Sequence, residues 1–285
     1  MGDKAAIELN NVTFQYFRAD KPALRNIDLK VYEGEFLGIM GPTGAGKSTL
    51  LYLMSGTIPH FFKGTLTGEV LVGGRDTKDL SWSEILKVVG LILDDPEAQL
   101  FSLFVRDELI WGLENRGLPK EKILESVDRV VNLFGIKHLT DRVSYDLSGG
   151  EKQKIAIASV YALQPDILLL DEPTSQLDPV GTKLVYDAIA DIAATGKTIV
   201  LVEHKAEELA EFADRIILLN EGELLLDENS RNFFANRELL RSAGIDIPQV
   251  GELAYELKET VPISSIPLTI DEAVSTFKRL LRIDD

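Results

Sequence analysis

The chain has 285 residues, a length that corresponds to about two structural units. Its 46 acidic and 30 basic residues give a formal net charge of −16, which argues against a protein that coats nucleic acid or holds an anionic membrane through a basic patch. The sequence contains no cysteine, so disulfides and thiolate metal sites are excluded. No apolar run approaches the roughly 20 residues of a membrane-spanning helix, and we therefore expect a soluble chain that reaches a membrane only through a partner.

The first predicted elements are strands. Apolar residues alternate with polar ones through Ile7, Leu9 and Val12, and again over residues 27–31. The short apolar run Phe36–Met40 follows and leads directly into a glycine-rich loop. The N-terminal part of the chain is therefore predicted to be rich in β-structure.

Residues 81–146 change to helical spacing, with apolar residues at Ile123, Val127 and Val130 after a proline at a helix start. Strand-like apolar runs return at 167–170, Thr198–Val202 and 216–219, with helical stretches between them. Because strands that alternate with helices build a mostly parallel sheet, the sequence predicts an α/β fold with a helical insert. From about residue 229 the pattern is helical again.

The glycine-rich loop matches the phosphate-loop pattern G-x-x-x-x-G-K-[ST]. Its glycines let successive backbone N–H groups point at phosphate oxygens, and the helix that follows adds the field of its N-terminus. Lys47 is expected to reach the β and γ phosphates of a nucleotide, and the Ser48 hydroxyl to bind Mg²⁺. The alternative, a chance glycine-rich turn, is disfavoured by the strand before the loop and the helix-forming run after it. The predicted nucleotide-binding residues of this segment are Gly41, Pro42, Thr43, Gly44, Ala45, Gly46, Lys47, Ser48 and Thr49.

Two acidic residues end the apolar run 167–170. Asp171 comes at the carboxyl end of this predicted strand, where it can hold Mg²⁺ through water, and Glu172 is placed to orient or deprotonate an attacking water. Two exposed acids at a strand end are common in isolation, but not beside a phosphate loop. Together these segments predict a nucleoside triphosphatase.

A second anion site is predicted at Ser148, Gly149 and Gly150, which open a helical stretch. A serine hydroxyl and two glycine N–H groups at a helix N-terminus bind anions. Since the chain already has a phosphate loop, we expect these residues to contact nucleotide held by a second subunit. That arrangement is a head-to-tail dimer with two shared sites.

With these motifs the chain resembles the ATP-binding subunits of ATP-binding-cassette (ABC) transporters, from about residue 7 to residue 228. The resemblance implies an α/β fold: a RecA-like P-loop NTPase core with an antiparallel β part, binding ATP and Mg²⁺. It also implies that Tyr16 stacks on adenine, that Asp178 lies in a loop at the dimer interface, and that His204 contacts the γ-phosphate. Taken alone, Tyr16 is more often a core aromatic and His204 a surface histidine. The predicted catalytic residues are Lys47, Glu172 and His204.

The resemblance also divides the chain into three parts. Residues 1–90 and 150–228 form the ATP-binding core, residues 91–149 the helical signature subdomain, and residues 229–285 a C-terminal helical extension. For the extension it implies dimer contacts, and the alternative is a helical cap packed on its own core.

Two positions depart from the family pattern: Gln176 stands where alanine is usual, and the second departure concerns the metal site. The family has a glutamine that contacts Mg²⁺ and water where the core joins the helical insert, and the alignment puts Asp94 there, with Gln99 five residues later. A carboxylate also binds Mg²⁺ through oxygen, so the predicted metal ligands are Ser48, Asp171 and Asp94. The alternative is that Asp94 and Asp95 only cap the helical insert.

Within the family, the segment Asp95-Pro96-Glu97-Ala98-Gln99-Leu100-Phe101 resembles that of energy-coupling factor ATPases, as does the tail around residues 239–245 and 267–273. These ATPases drive uptake of vitamins or transition-metal ions. The resemblance implies a second ATP-binding subunit, identical or similar, and integral membrane subunits as partners, with no nucleic acid. It places the chain at the cytoplasmic face of the membrane, bound through those partners.

Five acidic residues between the core and the insert suggest a docking groove. We expect Asp94, Asp95, Glu97, Asp107 and Glu108 to line a groove for a basic helix of the membrane subunit, the alternative being a solvated acidic face. Two other functions remain open at this point: a soluble ABC ATPase that is not coupled to transport, and a module in which nucleotide only holds a dimer together.

Overall fold

The computed structural model describes residues 4–258 and 260–281 of the chain. Within these residues ten strands form two sheets. The strands are β1 (Ala5–Tyr16), β2 (Leu24–Tyr32), β3 (Phe36–Met40), β4 (Gly64–Val72), β5 (Arg75–Asp76), β6 (Val89–Ile92), β7 (Ile167–Asp171), β8 (Thr198–Val202), β9 (Arg215–Asn220) and β10 (Glu223–Asn229).

Twelve α-helices connect or follow these strands within the described ranges. They are α1 (Lys47–Met54), α2 (Thr57–His60), α3 (Trp82–Ile85), α4 (Val105–Asn115), α5 (Lys120–Leu133), α6 (Gly149–Ala162), α7 (Pro179–Ala193), α8 (Ala206–Phe212), α9 (Ser230–Ala235), α10 (Arg237–Ser242), α11 (Gln249–Leu257) and α12 (Ile270–Leu281).

The larger sheet has the strand order β10-β9-β3-β8-β7-β6, and its strands are parallel except for β10, which runs antiparallel to β9. The predicted α/β fold with a mostly parallel sheet is thus confirmed. The register pairs Val202 with both Ile39 and Asp171, so β3, β7 and β8 end at the same edge. The loops that begin at Gly41, Glu172 and Glu203 therefore leave the sheet side by side.

Alternate residues of the parallel strands face two separate apolar layers. In β7, Leu168 and Leu170 belong to one buried cluster, and Ile167 and Leu169 belong to the other. The second cluster also contains the inner residues of α1 and of the antiparallel sheet β2-β1-β4-β5. The sheet is therefore covered on both faces, which explains why its strands read as continuous apolar runs.

A buried ion pair joins the two sheets. Glu35, in the turn between β2 and β3, is fully buried, and its carboxylate accepts hydrogen bonds from Tyr32 N at 2.7 Å and Arg215 Nε at 2.6 Å. Arg215 also donates to both carboxylate oxygens of Asp227 at 2.9 Å. The start of β9 is thereby fixed to the end of β2.

The helices after β6 and β10 complete the layer formed with Leu168 and Leu170. The predicted face of α5 is buried there, and so are Phe233 and Phe234 of α9. The inner side of the C-terminal extension thus packs on the core of its own chain, while Leu253 on α11 and Val274 on α12 are exposed. Among the described residues, no helix has both the length and the apolar character needed to cross a bilayer.

Candidate functional site

The phosphate-loop pattern forms the turn between β3 and α1. Gly46 stands immediately before α1 with φ at 104°, in the left-handed region that favours glycine, and a Cβ there would lie 2.7 Å from the carbonyl oxygen of Ala23. Glycine is therefore required at this position. The backbone that it permits leads the chain into α1 with the first N–H groups of the helix at the edge of the sheet.

The three predicted catalytic residues meet at this edge. Lys47 is only 5% exposed, and its Nζ donates to the carbonyl oxygens of Gly41 at 2.9 Å and Pro42 at 3.2 Å. The same Nζ lies 3.5 Å from Glu172 Oε1 and 3.3 Å from His204 Nε2, and Glu172 Oε1 is 2.9 Å from His204 Nε2. One carboxylate, one ammonium and one imidazole thus converge, although their residues lie up to 157 positions apart. Such a cluster can hold phosphate charge and accept a proton from water.

Glu172 has a strained backbone. Its φ is 45°, in the left-handed region that a residue with a side chain rarely adopts. Its N–H donates to the carbonyl oxygen of Val202 at 3.0 Å, which ties it to the end of β8. Strain of this kind persists only where the surrounding structure enforces it, and it concentrates at functional sites.

The residues predicted to bind Mg²⁺ lie beside this cluster. Asp171 is buried, and burial is the main cause that raises its pKa; the charges of Glu172 and Asp94 raise it further, and a hydrogen bond from Ser48 opposes them. A cation would relieve this accumulation of negative charge. Within the described residues, no group of three or more His, Asp or Glu side chains forms a metal site of its own. A buried carboxylate beside a serine hydroxyl and a second carboxylate is a donor set that suits Mg²⁺, which binds through one or two carboxylates together with phosphate oxygens.

The polar side chains of Asp94, Asp95 and Gln99 make different interactions. The amide of Gln99 donates to Leu91 O at 3.1 Å and accepts from Leu93 N at 3.2 Å, so it holds the end of β6. Asp95 accepts from Glu97 N at 2.8 Å and caps a 3₁₀ turn, as the capping alternative predicted for it. Asp94 is exposed, and its charge contributes to the raised pKa of Asp171. Asp94 therefore lies near enough to Asp171 for its charge to act on that carboxyl.

Tyr16 lies against α1. Its hydroxyl is 3.1 Å from Thr49 Oγ1, and its ring makes edge contacts with Phe14 and Phe62 at centroid distances of 4.8 and 5.9 Å. Because Thr49 is in the first turn of α1, these contacts place a half-buried aromatic ring next to the phosphate loop. A nucleotide base can stack on such a ring.

The second predicted anion site stands at the N-terminus of α6. Ser148 caps this helix in a capping box: its hydroxyl accepts from Glu151 N at 3.3 Å, and the Glu151 carboxylate accepts from Ser148 N at 2.8 Å. Gly150 packs against Gly181 of α7, where a Cβ on Gly150 would be 2.5 Å from Gly181 Cα. Asp178 caps α7 by accepting from Gly181 N at 2.7 Å. Ser148, Gly149, Gly150 and Asp178 thus form one unit, and no hydrogen bond within the described ranges joins it to the phosphate loop of the same chain.

Two contacts that the sequence did not reveal join α6 to the Asp94 segment. Gln153, 1% exposed, donates to Leu93 O at 3.1 Å, and Lys152 forms an ion pair with Glu97. The position of Gln153 on the buried side of α6 is the sequence feature that could have indicated the first contact, because a buried amide needs a hydrogen-bond partner. The second pairs residues 55 positions apart, for which the sequence carries no local signal.

The predicted acidic groove is wrong in one member. Glu108 is buried, and its carboxylate accepts from the backbone N–H groups of Phe101 at 3.1 Å and Ser102 at 2.8 Å, so it faces inward. A groove at this place is lined by Phe101, Leu103 and Tyr145, each more than half exposed, together with Glu97 and Lys152. The two backbone N–H groups accordingly hold the Glu108 carboxylate away from the surface.

Comparisons with known proteins agree with this geometry. The family model described as ABC transporter matches residues 24–175. A relative from Pyrococcus horikoshii, which carries the provisional name ABC transporter ATP-binding protein, is 40% identical over 273 residues, covering 95% of this chain and 96% of the relative. A similarly named relative from Caldanaerobacter subterraneus subsp. tengcongensis is 40% identical over 291 residues, and there this chain spans about half of the relative's length.

Two solved structures share the fold and part of the sequence. The structure of cbiO1 from Clostridium perfringens, described as part of the ABC transporter complex cbiONQ, superposes with a TM-score of 0.73 at 28% identity, covering 89% of this chain and 100% of that chain. The ATP-binding cassette MJ0796, a dimer in a post-hydrolysis state bound to ADP and Pi, gives a TM-score of 0.68 at 29% identity, covering 79% of this chain and 99% of that chain.

Proposed function

The chain belongs to the family of ABC transporter ATP-binding proteins, and we propose that it hydrolyses ATP to power import through a membrane transporter of the energy-coupling factor type. ATP binding and hydrolysis are properties of that family. The coupling to import rests on the sequence around Asp95–Phe101 and on the likeness to cbiO1. The observation that carries the proposal is the convergence of Lys47, Glu172 and His204 at one edge of the sheet.

We assign the following steps to the chain's own residues. Backbone N–H groups of the loop from Gly41 to Ser48 and the Lys47 ammonium bind the β and γ phosphates of ATP. Glu172 accepts a proton from the water that attacks the γ-phosphorus, and the bond from that phosphorus to the β–γ bridging oxygen breaks to release ADP. His204 contacts the γ-phosphate beside Glu172. Tyr16 supports the adenine ring.

Mg²⁺ belongs to the proposal because the donor set fits it. Ser48 and Asp171 would hold it, with Asp94 as an additional carboxylate in place of the family's usual glutamine. When bound, Mg²⁺ neutralises charge on the transferred phosphate. The burial of Asp171 next to further negative charge supports this assignment.

A dimer of cassettes is the second part of the proposal. At the start of α6 the N–H groups of Gly149 and Gly150 have no intrahelical partner, and we propose that they bind the γ-phosphate held by the other cassette. Asp178, which caps α7 against the same place, lies at that interface. The dimeric MJ0796 cassette with ADP and Pi supports the arrangement, and the partner can be a second copy or a similar subunit.

The membrane partner is proposed to dock in the groove lined by Phe101, Leu103 and Tyr145. Exposed aromatic residues grouped in this way mark interaction sites. The printed description of cbiO1 as part of a transporter complex supports a membrane assembly, which would hold the chain at the cytoplasmic face. Vitamins or transition-metal ions are the proposed cargo class. In this scheme the signature subdomain, residues 91–149, moves against the core formed by residues 1–90 and 150–228. The C-terminal extension, residues 229–285, adds contacts between cassettes.

Glu172→Gln tests the catalytic assignment. Replacing the base with an isosteric amide is expected to lower kcat for ATP by about 10²–10⁴-fold while ATP still binds. Glu69→Gln is the matched control, since it removes an exposed carboxylate on β4 away from the site, and it should keep wild-type turnover. Full turnover in Glu172→Gln would show that another group is the base.

Co-purification tests the coupling to transport. The chain is isolated from detergent-solubilised membranes, and integral membrane proteins are expected to remain bound to it. Phe101→Ser should weaken that association without changing ATP binding. If no membrane protein co-purifies, or if the wild-type chain shows no ATP turnover alone or with its partners, the proposed motor is refuted.

A further inference from the structure

A buried polar cluster lies behind the catalytic pair. Glu203 is 2% exposed and Thr174 is fully buried, and the Thr174 hydroxyl donates to Glu203 Oε2 at 3.3 Å. Lys205 Nζ donates to the hydroxyls of Thr174 and Thr182, each at 3.2 Å, and Lys205 N donates to Glu203 Oε1 at 3.5 Å. These contacts connect three elements: the loop after β7, the loop after β8 and the first turn of α7.

Each of these elements carries a site residue. Thr174 follows Glu172 by two positions, and Glu203 and Lys205 flank His204 on both sides. Thr182 lies in the first turn of α7, the helix that Asp178 caps. The cluster therefore connects the backbone segments that carry Glu172, the proposed base, and His204.

If this cluster only stabilised the fold, burying the Glu203 carboxylate would be energetically unfavourable. Burial is the main cause that raises the pKa of Glu203, and the charge of Lys205 opposes it. Moving a carboxylate out of water costs several kcal/mol, and an apolar group of similar shape would pack at this place without that cost. Hydrogen bonds, unlike apolar contacts, fix both distance and direction, which is what two reacting side chains require.

We propose that Glu203, Thr174 and Lys205 are positioning residues that hold Glu172 and His204 in register for hydrolysis. Both site residues need such support. The backbone of Glu172 is strained at a φ of 45°, and the side chain of His204 is 42% exposed. A displacement of about 1 Å in a catalytic group can cost about 100-fold in rate. The cluster thus acts on kcat and leaves the ATP-binding surface, which is made by other residues, unchanged.

This inference rests on the proposed function of Glu172 and His204, and Thr174→Val tests it. Valine keeps the shape of threonine and removes the hydroxyl that joins Glu203 to Lys205. The expected result is a kcat for ATP at least 10-fold below wild type, with the KM for ATP and the Kd for ATP within twofold. Thr174→Ser restores the hydroxyl and should return kcat to within threefold of wild type.

Thr198→Val is the matched control. Thr198 is also a buried threonine, and its hydroxyl accepts one hydrogen bond from Gly34 N at 2.9 Å, but it stands at the opposite end of β8. Its loss should lower the urea midpoint without lowering kcat. If Thr174→Val keeps wild-type kcat, if Thr174→Ser fails to restore it, or if Thr198→Val lowers kcat as much, the positioning role is refuted.

A combined variant separates a positioning role from an independent one. In a Glu172→Gln, His204→Ala background, Thr174→Val should lower the residual kcat by less than threefold, because both groups that the cluster positions are already gone. A full 10-fold loss in that background would contradict the inference. Absence of ATP turnover in the wild-type chain with its partners would instead refute the proposed function, so the two failures are distinguishable.

Discussion

Gly150→Ala should separate two helices that the sequence motif alone does not connect. A Cβ at position 150 would lie 2.5 Å from the Cα of Gly181 and 3.3 Å from its carbonyl carbon. Carbon atoms in contact normally stand about 3.5–4.0 Å apart, so α6 and α7 must move apart by about 1 Å. Both obstructing atoms are backbone, which cannot rotate away.

The expected cost follows from this overlap. Inserting a methyl group into a packed contact typically destabilises a protein by about 1–3 kcal/mol, while the better helix propensity of alanine returns up to about 1 kcal/mol. We therefore expect Gly150→Ala to lower the free energy of unfolding by about 1–2 kcal/mol in urea denaturation. Because the N-terminus of α6 shifts with the helix, ATP turnover should fall by at least about 10-fold.

Gly149→Ala is the matched control in the same motif. There the nearest atom to an added Cβ is Leu177 Cδ2 at 3.1 Å, the mobile end of a side chain. This variant should change the free energy of unfolding by less than about 1 kcal/mol. Equal destabilisation by the two substitutions, or a Gly150→Ala protein as stable and active as wild type, would refute the close-approach argument.

Three further predictions concern other parts of the chain. Arg215→Met leaves the carboxylate of Glu35 buried without its main partner and should cost about 3–5 kcal/mol in urea denaturation; a loss below about 1 kcal/mol would contradict this. A hydrogen bond from Arg237 lowers the pKa of Glu252, so the stability that this carboxylate contributes is present above pH 4.5 and is lost as the pH falls through its folded pKa. Glu252→Gln should therefore be less stable than wild type at pH 7, by at most about 1 kcal/mol because the pair is partly exposed, and the difference should shrink as the pH falls below 4.5 in thermal unfolding. Tyr16→Leu should raise the Kd for ATP about 10-fold by titration calorimetry, since stacking on a base contributes about 1–3 kcal/mol, and Tyr16→Phe should keep the affinity.

The parts of the fold and site that could be predicted are those encoded locally. The phosphate loop could be predicted because Gly46 and Lys47 lie next to each other in one short turn, so the pattern is local in the sequence. The parallel strands were recognisable because both faces are covered and the runs are apolar throughout. Asp171 and Glu172 followed from their place at the end of such a run.

The remaining features depend on contacts between distant segments. The sequence does not show that Gln99 holds the end of β6 while the charge of Asp94 acts on Asp171, because both effects arise between distant segments. Glu108 could be counted as a surface acid until the structure showed two backbone N–H groups that need it. The link between Thr174 and Glu203 joins residues 29 positions apart, and it forms only once β7 and β8 lie side by side.

The ties between α6 and the Asp94 segment have a thermodynamic consequence. Through Gln153 and Lys152 the helix whose N-terminus is assigned to the other cassette's nucleotide is fixed to the segment beside this chain's own proposed metal ligands. In the proposed dimer, occupancy of one nucleotide site would therefore bias the other, and linkage requires the same coupling factor in both directions. Loss of the Gln153 and Lys152 contacts should then reduce the effect of one nucleotide site on the other.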